Sequence, residues 1–233
     1  MKKLSIDVWS DIACPWCYVG KRRLEAALQR FPHRDAVEVT WRSFELDPTA
    51  PAVRDDGVPF AARLAKKYGR SEREAQGMID RTKDVAAGDG LDLRFDRAKA
   101  GNTFDGHRLL HLAAELGLQG AMKERLFRAY MTEGEAIGDR AVLARLAGEV
   151  GVPEADATAM LESDRYTREV REEEGAAREM GINGVPFYVV AEKYGLSGAQ
   201  PADVLLQALN KAWEALPEEG TAEGEVCGPT GCA

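Results

Sequence analysis

No cysteine occurs between Cys17 and Cys227 of this 233-residue chain, and its four cysteines stand at 14, 17, 227 and 232. That distribution excludes a structural disulfide framework, which a chain of this length does not need, since it buries a core large enough to fold without staples. Long hydrophobic runs are missing too, and no apolar stretch approaches the length that spans a bilayer. Lys and Arg do not cluster among aromatics, and 31 basic against 39 acidic residues give a formal charge of −8, which argues against a phosphate-tracking surface. Neither nucleic acid nor membrane is expected as a partner. Met1-Lys2-Lys3-Leu4 runs straight into an alternating pattern, without the apolar run and small-residue cleavage site of a secretory leader, so a cytoplasmic location is expected. With 45% apolar and 30% charged residues, the composition is that of a globular protein.

Residues 4–9 alternate, with Leu4, Ile6 and Val8 on one face and Ser5, Asp7 and Trp9 on the other, which predicts a strand. From Trp16 to Phe31, Val19, Leu24, Ala27, Leu28 and Phe31 recur at helical spacing before Pro32. Val37, Val39 and Trp41 alternate again, giving a second strand one helix after the first, as in a parallel βαβ unit. From Pro59 to about Met180 the chain reads as successive amphipathic helices punctuated by glycines, with Ser71 and Glu74 in a capping-box pattern. Strand character returns at Phe187–Val190, with Tyr194–Ser197 placed to pair with it, and a last helix is predicted from Pro201 to Leu216. The expected fold class is α/β, one domain formed by 1–58 and 182–216 and interrupted by an all-helical insertion at 59–181. Residues 217–233, rich in Glu, Gly and Thr, read as a flexible tail carrying Cys-x-x-x-x-Cys.

Cys14-Pro15-Trp16-Cys17 falls between the end of a strand and the start of a helix. There, unpaired backbone N–H groups and the helix dipole favour a thiolate at Cys14, the expected attacking sulfur. Cys17, three residues on, is placed by the helical turn to resolve a mixed disulfide. Pro15 in the first turn costs no helix hydrogen bond. Two other readings of the motif are half of a zinc site and two core cysteines that happen to be neighbours; the strand-to-helix context favours redox chemistry.

The stretch Ile6-Asp7-Val8-Trp9-Ser10-Asp11-Ile12-Ala13-Cys14-Pro15-Trp16-Cys17-Tyr18, with Gly184-Val185-Pro186-Phe187 and Ser197-Gly198-Ala199-Gln200-Pro201, resembles the DsbA family of thioredoxin-like oxidoreductases, and within it the FrnE-like branch. The resemblance runs nearly to Leu216. It implies a thioredoxin-like fold with an inserted helical domain, and a thiol–disulfide oxidoreductase. It also implies a cis Val185-Pro186 bond beside Cys14, with the Val185 backbone free to pair with an extended substrate; the sequence alone would favour an ordinary trans turn. The family's best-known periplasmic oxidants carry Pro-His between the cysteines where this chain has Pro15-Trp16. Without an imidazole to stabilise the thiolate, a less oxidising centre is expected, suited to reduction or isomerisation.

Supporting roles are assigned to Pro15, Trp16, Val185 and Pro186. Asp7 or Asp11 could be the acid beneath the resolving cysteine that thioredoxin-like enzymes use for proton transfer, or a solvated carboxylate at the strand end. Asn102, Thr103 and His107 resemble a segment recurring in the family's helical insertion, which puts His107 at the border of a substrate groove. His107 and His111 have i, i+4 spacing but lie in no zincin pattern, so ordinary helix-face histidines are expected and no metal. Glu172-Glu173-Glu174 reads as a solvated helix face.

Cys227 and Cys232 flank Gly-Pro-Thr-Gly, a turn-forming tetrapeptide that would bring the two sulfurs together. A spacer of about ten residues reaches roughly 16 to 19 Å, so an auxiliary redox pair exchanging with Cys14-Cys17 is weighed against a four-thiolate metal site and an inert tail. The leading expectation is a disulfide reductase or isomerase acting on disulfide-containing proteins or peptides. It would need no organic cofactor and would be regenerated by a cellular thiol reductant such as glutathione or by a reductase system. Two alternatives stand beside it. One is a glutathione-dependent small-molecule isomerase, against which Cys14 argues because such relatives usually carry Ser there. The other is a zinc-binding or redox-sensing module.

Overall fold

A computed structural model describes residues 2–54 and 56–217, so Cys227 and Cys232 lie outside the described residues. Strand β1 (Leu4–Ser10) leads into helix α1 (Pro15–Arg30), and after a single 3-10 turn strand β2 (Val37–Ser43) follows. Helices α2 (Phe60–Tyr68), α3 (Glu72–Gly88), α4 (Phe104–Glu115), α5 (Gln119–Arg128), α6 (Arg140–Glu149), α7 (Glu154–Leu161) and α8 (Thr167–Glu179) come next. Strands β3 (Phe187–Val190) and β4 (Tyr194–Ser197) and helix α9 (Ala202–Ala215) complete the order.

The sheet runs β2-β1-β3-β4. Leu4 pairs with Val37 and Val8 with Trp41 in parallel register, while Ile6 pairs with Val190 and Trp9 with Phe187 in antiparallel register. Alternation turns Leu4, Ile6 and Val8 to one face, where Leu24, Ala27 and Phe31 of α1 and Leu205, Leu209 and Ala212 of α9 close a dry core. The opposite face buries Trp9 against Ala177 of α8 and Ile182. Both faces are thus covered by helices, as a βαβ unit demands. Helix α8 falls within the stretch read from the sequence as an insertion, yet it packs on the sheet.

A second core joins α3 to α7 and takes in Ile12, Cys14, Cys17, Tyr18 and Val19. The cysteine motif therefore lies on the seam between sheet and helical segment. Ser71 and Glu74 form the expected reciprocal capping box at the start of α3. Val204 at the start of α9 is exposed. Gln119 of α5 covers the edge strand: its amide oxygen accepts from Trp41 N at 2.9 Å and its nitrogen donates to Trp41 O at 3.1 Å, which blunts an edge open to foreign strands.

Candidate active site

Cys14 is the N-cap of α1, in extended conformation (φ −95°, ψ 113°), with Pro15 in the first turn. No side chain caps this helix end, so its first-turn dipole acts on whatever charge Cys14 carries. The Cys14 carbonyl accepts from Cys17 N at 3.1 Å and Tyr18 N at 3.4 Å. Asp11 shapes the approach, its Oδ1 accepting from Ala13 N at 3.2 Å and its Oδ2 from Leu46 N at 2.8 Å.

Val185–Pro186 is a cis peptide bond. It stands against the motif: Cys14 Sγ donates to Val185 O at 3.5 Å. Pro186 O accepts from Gly198 N at 2.8 Å, tying the proline loop to the end of β4. Cys14, Cys17, Val185 and Pro186, far apart in sequence, are thereby brought together. Both cysteines are free thiols. Cys14 keeps 4% exposure and Cys17 none, while Trp16 beside them is 39% exposed. Burial, followed by the neighbouring Cys14, pushes the Cys17 thiol well above the usual range, so Cys17 holds its proton in the reduced pair.

Asp7 is not beneath the resolving cysteine. It lies on the α8 face of the sheet and accepts from Arg42 Nε at 2.7 Å, while Cys17 sits on α1 across the strand. Asp11 is buried, but it turns to His107, whose Nε2 stands 3.6 Å from its Oδ1. Burial alone would raise the Asp11 carboxyl; the His107 contact and the backbone donors of Leu46 and Ala13 outweigh it and hold the group below its ordinary value. His107 is fully buried under this loop, not exposed on a groove. His111 turns to a different carboxylate, Glu173, at 3.2 Å, so the i, i+4 spacing does not converge on one point. Glu173 and Glu174 are buried, contrary to the solvated face expected of them. Glu173 accepts from Arg42 at 3.0 Å and Ser43 N at 2.7 Å, and Glu174 from Arg171 at 2.7 Å. Position rather than charge density decided their burial, because α8 packs on the sheet.

Three residues around Cys17 escaped sequence reasoning. The Ser10 hydroxyl is buried beside it. Tyr188 of β3 is buried with its hydroxyl against Gly20 of α1. Lys123 of α5 is fully buried, with Nζ donating to Ser10 O at 3.1 Å. The signal for Lys123 was present: Met122, Leu126, Phe127 and Tyr130 form an apolar stripe, and Lys123 falls inside it.

The family model for the DSBA-like thioredoxin domain matches residues 5–210. A protein from Streptomyces coelicolor, described as a probable DsbA oxidoreductase, superposes with a TM-score of 0.86 at 44% identity, covering 99% of this chain and 98% of that one. The cytosolic disulfide reductase DsbM from Pseudomonas aeruginosa, with glutathione, shares the fold at 18% identity and a TM-score of 0.61, over 90% of this chain and 96% of that one. The uncharacterized protein YwbO of Bacillus subtilis is 29% identical over 207 residues, which is 88% of this chain and 95% of that protein. Among the described residues no helix is long and apolar enough to cross a membrane.

Proposed function

The chain belongs to the DSBA-like thioredoxin domain family, and from that premise we propose that it reduces or isomerises disulfides through the Cys14–Cys17 couple. The observation that carries this reading is the contact of Cys14 Sγ with Val185 O, 3.5 Å apart, at the uncapped N-terminus of α1. A thiolate there faces the backbone of the proline loop, so a substrate strand paired with Val185 brings its disulfide to Cys14. Cys14 attacks one substrate sulfur, a mixed disulfide forms and the first substrate thiolate leaves. Cys17 then attacks Cys14 Sγ, releasing the second substrate thiolate and leaving the Cys14–Cys17 disulfide. Two equivalents of glutathione, which leave as its disulfide, or one equivalent of the dithiol of a reductase system return the couple to its reduced form. No organic cofactor takes part, and the compartment is the cytoplasm. Pro15-Trp16 sets a less oxidising couple than Pro-His would. Cys227 and Cys232 serve as an auxiliary pair.

Cys14→Ser is expected to abolish exchange with a peptide disulfide while leaving the fold intact, and Cys17→Ser to accumulate a mixed disulfide through Cys14, both read by mass spectrometry of alkylated peptides. Exchange retained in Cys14→Ser sinks the reading.

A further inference from the structure

The proline loop that faces Cys14 is held to α1 at two points on one face of that helix. Gly20 leaves the gap that Pro186 enters, since a Cβ there would stand 2.9 Å from Pro186 Cγ. Three residues on, and so on the same face, Arg23 Nη1 donates to Ala199 O at 2.7 Å and Arg23 Nε donates to Asp89 Oδ2 at 2.9 Å. Ala199 follows Gly198, whose N–H donates to Pro186 O at 2.8 Å. Gln200 closes this turn, its N donating to Gly198 O at 2.8 Å and its Nε2 to Ser197 O at 2.7 Å. A chain of contacts thus runs from Asp89 through Arg23 and the 197–200 turn to Pro186, and from the adjoining Val185 O to Cys14 Sγ at 3.5 Å.

Asp89 is the C-cap of α3. A carboxylate at a helix C-terminus opposes the helix dipole, so α3 by itself disfavours it. What it meets there is a guanidinium from another part of the fold. Arg23 and Asp89 are each 21% exposed, and the planar guanidinium serves two acceptors in fixed directions, one at the end of a helix of the helical segment and one on the turn beside the proline loop. A lysine at that place would bring a single flexible ammonium and could not hold both directions at once.

We propose that Arg23 is a positioning residue that fixes the proline loop against Cys14 and thereby gives extended peptide disulfides their advantage over small ones. The inference rests on the reading of Cys14 as attacking group and of Val185 as the backbone on which a substrate strand pairs. A peptide aligned on Val185 presents its disulfide where the loop puts it, and a misplacement of about 1 Å costs ~100-fold in rate. A small aromatic disulfide makes no such pairing and needs only the Cys14 thiolate. Arg23 therefore governs the first reaction and leaves the second alone.

The test uses the full chain, reduced, with Cys227→Ser and Cys232→Ser, so that only Cys14 and Cys17 react. The exchange phase, in which Cys14 displaces the first thiolate, is followed in stopped flow with dithionitrobenzoate and with a self-quenched fluorescent peptide disulfide. Arg23→Met, which keeps the apolar stem and removes both donors, should slow the peptide phase by about tenfold or more and leave the dithionitrobenzoate phase within about twofold. Arg23→Lys should recover part of the peptide rate, through the one bond it can still make. Asp89→Asn leaves the Ala199 bond but loosens the guanidinium on its other side, so it should lower the ratio of peptide rate to dithionitrobenzoate rate in the same direction by a smaller factor. It carries the test if thermal melting shows that Arg23→Met does not fold. A ratio that keeps its original value in these variants, whether both rates hold or both fall together, overturns the proposal. If the chain with Arg23 and Asp89 unchanged reacts with neither disulfide, the reading of Cys14 falls and takes the proposal with it.

Discussion

Gly20 lets β3 come close to α1. A Cβ there would collide with the Tyr188 hydroxyl and stand 2.9 Å from Pro186 Cγ, so the lack of a side chain makes room for the residue behind the proline loop. Gly20→Ala is expected to destabilise by about 1–3 kcal/mol through overpacking. It should also slow the Cys14 exchange phase, since part of the strain falls on Pro186. Thermal melting and the same thiol kinetics check both; an unchanged melt would mean that Tyr188 and Pro186 yield freely. At this scale Cys14 and Cys17 stood out as candidates because they sit between a strand end and a helix start, whereas Pro186 was picked out only through the family resemblance, the sequence alone favouring a trans turn. Of the residues around Cys17, Lys123 left a trace in its apolar stripe, but its contact with Ser10 and that of Tyr188 with Gly20 are decided by pairings more than a hundred positions away. The Asp7 expectation failed for a related reason. Parity put Asp7 opposite Leu4, Ile6 and Val8, and only packing shows that α1 covers those three.

Elements were legible wherever periodicity was strong. β1, β2, β3 and β4 fall where alternation and the short apolar run placed them, and Ser71 capped its helix as its pattern indicated. Which helix lies on which face was not legible, because amphipathic stripes identify a buried side without naming its partner. Helix α5 illustrates the consequence. It was read only as one of a succession of amphipathic helices, and Glu124 joins Tyr18, Lys21 and Arg22 of α1 in one charged cluster. Lys21 is nearly buried there, so losing the carboxylate strands a charge with poor access to water. Glu124→Gln should therefore destabilise by about 1–3 kcal/mol, below the full cost of breaking a wholly buried pair because Glu124 keeps some solvent contact. Urea unfolding would show a lower midpoint with an unchanged slope; no shift in midpoint would mean that water screens the cluster.

Over the whole molecule, two carboxylates paired with cationic neighbours, Glu124 and Glu173, set the response to acid. Burial would raise Glu124 and Glu173, but cationic and hydrogen-bonding neighbours overcome it: Arg22 and Lys21 for Glu124, His111 and Ser43 for Glu173. Both carboxyls are held at about 2, against 4.5 for a free glutamate. A carboxyl whose pKa is depressed on folding contributes stability that is complete above its unfolded value and is lost as pH falls through the folded one. The window is thus pH 4.5 down to 2, and each group contributes of order 3 kcal/mol before solvent screening reduces it. Glu173 bridges α8 to β2 and Glu124 bridges α5 to α1, so protonation loosens the helical segment from the sheet at two separate points. Urea midpoints measured from pH 7 to pH 2 should stay level until about pH 5 and then fall steeply. Glu173→Gln should flatten that fall while lowering the plateau. A variant that lowers the plateau but retains the full acid slope would assign the acid response to other carboxylates.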